Sequence, residues 1–387
     1  MRKNKVINVM KLGFLYLSTV IGAGFATGRE IRVYFTDYGF FGYVGLGIST
    51  ILLILAGCAI LRIVYVNDVK TVSEFNERIG GFYLGKVLDF VVTSFSYCLY
   101  VIVLAGLADI LKSNYGIDKI LTVLTVMVIS IMVHIMGFNA LAHICSWSAI
   151  LIAVMVLFVS LFTIKPVYSF EQTVSIPMSL FSSVLYVGYN ILVAISVMSR
   201  ALPLMDGKAS YIVGSFIGSV SIMACALVVN ISLYMSYGRI KYSDMPLLTL
   251  VELYMGKWGY YLFLLMLVLT MSTSAISGLS SVLHVAGNKL GRVLVVVSIP
   301  LSFIGFGTLM DIAYPVYGAF GIMVLFILVL SVGMNYNKAR DDQCDRQKNR
   351  YKLRTTKKKK HAAKARSYNI SHTGNCNSTC NVCHRCV

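Results

Sequence analysis

The chain has 387 residues, is 57% hydrophobic with a mean hydropathy of +0.77, and carries only 13% charged residues. A soluble chain of this length would hold about twice that charged fraction, so an ordinary water-soluble globular protein is excluded and the work of the chain is placed in or across a bilayer. The net charge of +18 does not mark a nucleic-acid binder, because beyond Tyr336 there are 14 Lys/Arg and three Asp, against 20 Lys/Arg and 13 acids in residues 1–336.

A helix needs about 20 apolar residues to cross the hydrocarbon core. In chain order the sequence predicts ten such spans, near 9–35, 40–66, 84–111, 118–136, 141–164, 178–201, 210–236, 258–285, 292–309 and 311–335. The fold class is thus an all-α polytopic membrane protein. No small-residue cleavage site follows the first apolar run, which reads as a retained span and not a signal peptide. The longest connection, near 237–257, is too small for a domain.

Lys and Arg favour cytoplasmic loops. With the amino terminus inside, 11 of these residues fall on inner segments and eight on outer ones, and the basic tail also falls inside. The expected location is the plasma membrane, multi-pass, with both termini cytoplasmic. Ten spans divide into five and five, with repeat one at about 9–165 and repeat two at about 178–336. An odd number per half inverts the second half. The string Leu17-Ser18-Thr19-Val20-Ile21-Gly22 has a faint counterpart in Phe181-Ser182-Ser183-Val184-Leu185 and Gly188. Matched small-residue interruptions in two halves point to a transporter site.

The first span reads Thr19-Val20-Ile21-Gly22-Ala23-Gly24-Phe25-Ala26-Thr27-Gly28-Arg29-Glu30. Each glycine weakens a helix by about 1 kcal/mol relative to alanine, so the reading is a broken helix. A break would free amide N–H groups that, with the positive end of the helix dipole, suit a carboxylate. Freed carbonyls on the other half would suit a cation or an amine. Close helix packing through small residues explains the same glycines equally well.

The motif Ile21-Gly22-Ala23-Gly24-Phe25 resembles the first-span glycine motif of the amino acid–polyamine–organocation superfamily. The longer string from Gly22 to Glu30 is similar to a group of bacterial membrane proteins regarded as amino-acid permeases, although Arg29 replaces the Gln of that group. The resemblance covers roughly residues 8–336. It implies the LeuT-type 5+5 inverted-repeat fold with the first and sixth helices broken, the second break falling at Tyr186-Val187-Gly188-Tyr189-Asn190. It further implies a secondary transporter of amino acids or related small amines, working by alternating access. A non-transporting nutrient receptor subunit, like the germination receptors of the same fold, is the alternative. No paired carboxylates or nucleophile–base set lie within the spans, so no enzyme is expected.

The expected substrate site is Gly22, Ala23, Gly24 and Phe25 with Tyr186, Gly188, Tyr189 and Asn190. The amides of Gly22, Ala23 and Gly24 would hold a substrate carboxylate. In related sodium-coupled transporters adjacent eighth-span hydroxyls ligate Na⁺, and a hard cation takes oxygen ligands. That assigns Na⁺ to Thr270, Ser272, Thr273 and Ser274, with Ser277 also on this span. H⁺ is the other coupling ion considered, with His134 or Glu30 as carrier. Glu30 lies eight residues beyond Gly22, about 12 Å along a straight helix, so Arg29 and Glu30 are expected as an outer gate, with Asp311, Tyr314 and Pro315 at the start of the last span beside it.

Residues 337–387 form a basic, cysteine-containing tail with few apolar residues, expected to be disordered. Lys357, Lys358, Lys359 and Lys360 suit anionic lipid, and no nucleic-acid partner is expected. Cys376, Cys380, Cys383 and Cys386, with His384, have a spacing that suits Zn. No organic cofactor is expected. The partners are a small-molecule substrate and the lipid bilayer.

Overall fold

The computed structural model describes residues 2–165, 176–243, 245–331 and 333. The tail, with its lysine run and cysteines, lies outside the described residues. Every regular element among those described is helical. In order they are α1 (Arg2–Val20), α2 (Ala23–Ala26), α3 (Arg29–Tyr34), α4 (Phe40–Val66), α5 (Val72–Tyr115), α6 (Lys119–Met136), α7 (Phe138–Phe162), α8 (Ile176–Met198), α9 (Lys208–Met235), α10 (Tyr237–Ile240), α11 (Pro246–Tyr254) and α12 (Gly256–Leu301). The last is α13 (Phe306–Ser331).

Among the described residues, eight helical stretches are long and apolar enough to cross a membrane: α4 to α9, the Gly256–Gly287 part of α12, and α13. Their outward faces are apolar too. Ile120, Leu121, Met132, Ile135 and Met136 of α6 are exposed, as suits a surface whose solvent is lipid. The apolar part of α1, Val6–Val20, is shorter than a span but deeply enclosed. Its Leu12, Leu15, Tyr16 and Leu17 are fully buried among α7, α8 and α9.

Two long helices bend where a glycine takes a positive φ, at Gly81 in α5 and Gly287 in α12. The start of α5 is fixed by a side-chain exchange. The Thr71 hydroxyl accepts the Glu74 N–H (3.1 Å) and the Glu74 carboxylate accepts the Lys70 N–H (2.8 Å). Across the Gly81 bend, Asn76 Nδ2 donates to Asp89 Oδ1 at 2.8 Å.

Two expectations are corrected. The ninth span, placed at 292–309, ends at Leu301. The Ser302, Phe303 and Ile304 amides fold back onto Ser298, Pro300 and Leu301 carbonyls, and Gly305, at φ 100°, releases the chain into α13. The sixth helix is not broken near Gly188, for α8 runs unbroken from Ile176 to Met198. Gly188 is there for close approach. A Cβ on it would stand 2.5 Å from the Gly318 carbonyl oxygen, and one on Gly321 would stand 2.1 Å from the Gly188 carbonyl oxygen. Small residues that let two backbones meet are the membrane form of helix packing.

This contact makes a direct prediction. Gly188→Ala forces backbone apart and should cost about 1–3 kcal/mol, the usual range for overpacking. Gly47→Ala, whose Cβ meets nothing within 4 Å, should cost nothing measurable. Thermal unfolding of the two purified variants checks this, with equal melting temperatures as the refuting result.

Candidate functional site

The site is built on the interruption of the first helix. The last regular bond of α1 runs from the Ile21 N–H to the Leu17 carbonyl (2.9 Å), and Gly22 then turns extended at φ −101°, ψ −167°. Four residues of α2 follow, and Gly28, at φ 79°, reverses the chain into α3. The expected break is therefore present. Its amides are not all free: the Gly22 N–H is spent on the Val20 carbonyl at 2.9 Å. Ala23, Gly24 and Phe25 have no backbone acceptor among the described residues. The far end of the break is satisfied from outside it, the Thr27 carbonyl accepting the Leu247 N–H of α11 at 3.0 Å.

Beside the break lies a cavity of about 50 Å³, lined by Thr19, Val20, Gly22 and Ala23, by Ser96 of α5, by Tyr189, Asn190 and Ser196 of α8, by Ser274 and Ser277 of α12, and by Glu30 and Tyr314. Of the expected substrate residues, Gly22, Ala23, Tyr189 and Asn190 reach it. Phe25 and Tyr186 are buried in the core, Gly188 packs on α13, and Gly24 lies beneath the Glu30 carboxylate. Of the expected sodium ligands, only Ser274 lines the cavity. The Thr270 hydroxyl donates to the Met266 carbonyl (2.7 Å), the Thr273 hydroxyl to the Leu269 and Thr270 carbonyls (3.1 and 3.0 Å), and Ser272 lies off the lining. Ser277, one turn from Ser274 on the same face, joins it instead.

The ion pairing differs from the expected one. Arg29 does not pair with Glu30; its Nη2 lies 2.7 Å from Asp311 Oδ1 at the start of α13. Glu30 is not at the outer mouth either. It is 4% exposed, and Tyr189 donates its hydroxyl to Glu30 Oε2 at 2.8 Å. The Gly28 reversal brings its side chain back onto the break, so that a Cβ on Gly24 would stand 2.2 Å from Glu30 Oε1. Glu30 and Tyr314 also line a second hollow of about 70 Å³ with Arg29, Tyr34, Asp311 and Pro315. These two side chains thus form a layer, one residue thick, between the enclosed cavity and the Arg29–Asp311 pair.

Aromatic rings surround Glu30. The centroids of Tyr189 and Tyr314 are 4.8 Å apart, those of Tyr34 and Tyr189 5.5 Å, and those of Tyr186 and Tyr189 5.6 Å. A carboxylate, hydroxyls and ring faces around one small space suit a cation. No group of three His, Cys, Asp or Glu residues that could hold a metal occurs among the described residues. Ser96, Ser196 and Tyr189's link to Glu30 have no signal in the sequence, since they depend on which faces of α5 and α8 turn inward.

No protein-family model matches the chain. It is 23% identical over 331 residues to the uncharacterised membrane protein YkvI of Bacillus subtilis (strain 168), across 80% of this chain and 91% of that one. It is 22% identical over 335 residues to the uncharacterised protein YyaD of the same organism, across 83% and 96%. Among solved structures it is similar to a Na⁺-coupled sialic acid symporter in a substrate-bound outward-open state, with a TM-score of 0.55, 12% identity, and coverage of 84% of this chain and 75% of that one. It is also similar to a manganese transporter of Eremococcus coleocola, with a TM-score of 0.50, 15% identity and coverage of 84% and 76%. The chain is a multi-helix membrane protein that shares its fold with these two transporters.

Proposed function

We propose that the chain is a secondary transporter of amino acids or related small amines, working by alternating access around the cavity beside Gly22. The reading uses ten crossings of a LeuT-type fold in two inverted halves, about 9–165 and 178–336. In it α1, α2 and α3 make one broken crossing, and the segment after Gly287 completes the ninth. Both termini are cytoplasmic in this reading, the membrane is the plasma membrane, and the 337–387 tail is dispensable for transport.

The observation that carries the proposal is the position of Glu30. The sequence assigns a substrate carboxylate to the amides freed by the break, yet here a carboxylate of the chain itself lies on that backbone. A second acid beside it would be repelled. The favoured solute therefore leads with its positive group, the ammonium of an amine or amino acid, against Glu30 and the rings of Tyr189 and Tyr314. A buried unpaired carboxylate is costly, and a cation in the cavity removes that cost.

Coupling to Na⁺ is supported by the Ser274 and Ser277 hydroxyls facing Thr19 and Val20 at the frayed end of α1, a set of neutral oxygens that suits a hard monovalent ion. The gate in this reading is layered. Glu30 and Tyr314 close the cavity, and Arg29 with Asp311 closes above them.

Uptake into proteoliposomes tests the proposal. A labelled panel of amines and amino acids should show uptake that is competed by amines and not by simple carboxylic acids. Glu30→Gln should lower uptake efficiency by roughly 10- to 150-fold, the equivalent of about 1.5–3 kcal/mol for a lost charged partner. Uptake of the cationic solute at the wild-type rate by Glu30→Gln would sink the assignment.

The ion is tested separately. Ser274→Ala and Ser277→Ala should each raise the Na⁺ concentration for half-maximal uptake by about tenfold, with little change at saturating Na⁺. Wild-type uptake that is indifferent to exchanging Na⁺ for choline would refute sodium coupling and leave Glu30 as the carrier of a proton.

A further inference from the structure

A second, larger cavity of about 530 Å³ lies away from the one described, and its lining is basic: Lys70, His134, Arg200 and His284, with Ser280, Gly137, Phe138, Leu202 and Pro203. No carboxylate among the described residues lines it. Just beyond its Leu202–Leu204 wall, Asp206 Oδ2 accepts from Asn8 Nδ2 of α1 at 3.3 Å.

Arg200 is the unusual member. It is 6% exposed, in the turn that ends α8. Its Nη1 and Nη2 donate to the Ser280 and Ser281 hydroxyls at 3.3 and 3.2 Å, the guanidinium carbon stands 5.5 Å over the Phe138 ring, and Nε finds no partner. No carboxylate pairs with it among the described residues. Two neutral hydroxyls and a ring face leave its charge uncompensated, and an uncompensated buried charge costs several kcal/mol. His134 Nδ1 lies 3.4 Å from the Ser280 hydroxyl, on the same wall.

A helix supplies more positive potential. Gly137, in the lining, is the N-cap of the 25-residue α7, and no side chain caps that end. Its first-turn amides begin at this lining residue, beside the carbonyl end of α6. The carboxylates on the rim are already engaged: Asp68 lies 3.5 Å from Lys70 Nζ, and Glu74 accepts the Lys70 N–H.

We propose that this cavity is an anion site, taking a phosphate-type oxyanion against Arg200, His134, Lys70 and the α7 amides. A guanidinium suits the paired oxygens of such a group, and the volume admits one with its hydration. The site is separate from the Glu30 cavity and does not depend on what that cavity transports. The oxyanion is either free in solution or the headgroup of an anionic lipid, and both present the same chemistry.

The test uses the full chain in nanodiscs of phosphatidylcholine. Sodium phosphate replaces sodium chloride at constant ionic strength, and the thermal unfolding midpoint is followed. A ligand that binds only the folded state raises that midpoint saturably. The wild type should show such a rise. Arg200→Gln should need about tenfold more phosphate for half the effect, and the more exposed Lys70→Gln up to about fivefold more. If Arg200→Gln does not fold, Lys70→Gln and His134→Gln carry the comparison. Nanodiscs containing phosphatidylglycerol separate the sources. A midpoint already raised without phosphate, and sensitive to these substitutions, assigns the site to a headgroup. An unchanged phosphate titration assigns it to the free ion. No saturable rise with either, or the same rise in wild type and every variant, overturns the proposal.

Discussion

The constraint on which this structure depends is that backbone polar groups cannot be left open to hydrocarbon. Each one exposed there costs several kcal/mol, so an interrupted helix must be walled off from lipid by other helices. That explains why α1, whose apolar part is shorter than a span, is enclosed by α7, α8 and α9, and why α2 touches α12. It also gives the short helices between α9 and α12 a purpose. The Leu247 amide of α11 reaches the Thr27 carbonyl, which the Gly28 reversal would otherwise leave unmatched. The cavity follows from the same constraint, because the groups freed by the break need a polar neighbourhood, and Ser96, Asn190, Ser274 and Ser277 supply it.

Much of the fold was legible in the sequence because hydrophobic length decides it. The predicted second span, 40–66, and the helix Phe40–Val66 coincide, whereas the ninth span missed because its residues run on past Leu301 into a turn that only Gly305 signals. Glycine was the ambiguous letter. At Gly22 and Gly28 it marks a break, and at Gly188 it marks contact with Gly318 and Gly321 on a helix more than 100 residues away. Composition is the same in both cases, and only the partner distinguishes them. The site was legible in residue type and less so in register. Of the four hydroxyl residues expected to hold Na⁺, Ser274 lines the cavity and Thr270, Ser272 and Thr273 do not, since a rotation of one residue, about 100° on a helix, turns a side chain away from it. Glu30 was misplaced for a related reason. Eight residues of straight helix carry a side chain about 12 Å, but the Gly28 reversal folds that length back.

The charges buried in the spans form a graded series. Arg29 has a full ionic partner in Asp311, whose side chain is 68% exposed. Glu30 has hydroxyls only, chiefly Tyr189. Arg200 has serine hydroxyls and a ring. Intramembrane ionisable groups are expensive and persist where they act. The fully paired group lies at the outer layer, where water already lowers the cost. The two under-compensated groups each face a cavity, one acidic and one basic, lined by successive turns of α12, Ser274 to Gly278 for the first and Ser280 to His284 for the second.

The unbroken α8 bears on how such a protein would move. With Gly188 in backbone contact with Gly318 and Gly321, α8 and α13 cannot slide past one another without parting a close-packed seam, which binds the two helices into one body. Several ties join that body to the first helix: the Ser182 hydroxyl donates to the Tyr34 carbonyl at 3.0 Å, and Tyr34 and Phe35 pack on the Tyr186 ring. Arg29–Asp311 is a pair with one exposed partner, worth about 1 kcal/mol or less. Tyr189 to Glu30 is a single hydrogen bond to a charged acceptor, worth about 1.5–3 kcal/mol. The Gly188 seam is therefore the costlier of these contacts to open, and the polar contacts of Arg29 and Glu30 are the ones that part at lower cost.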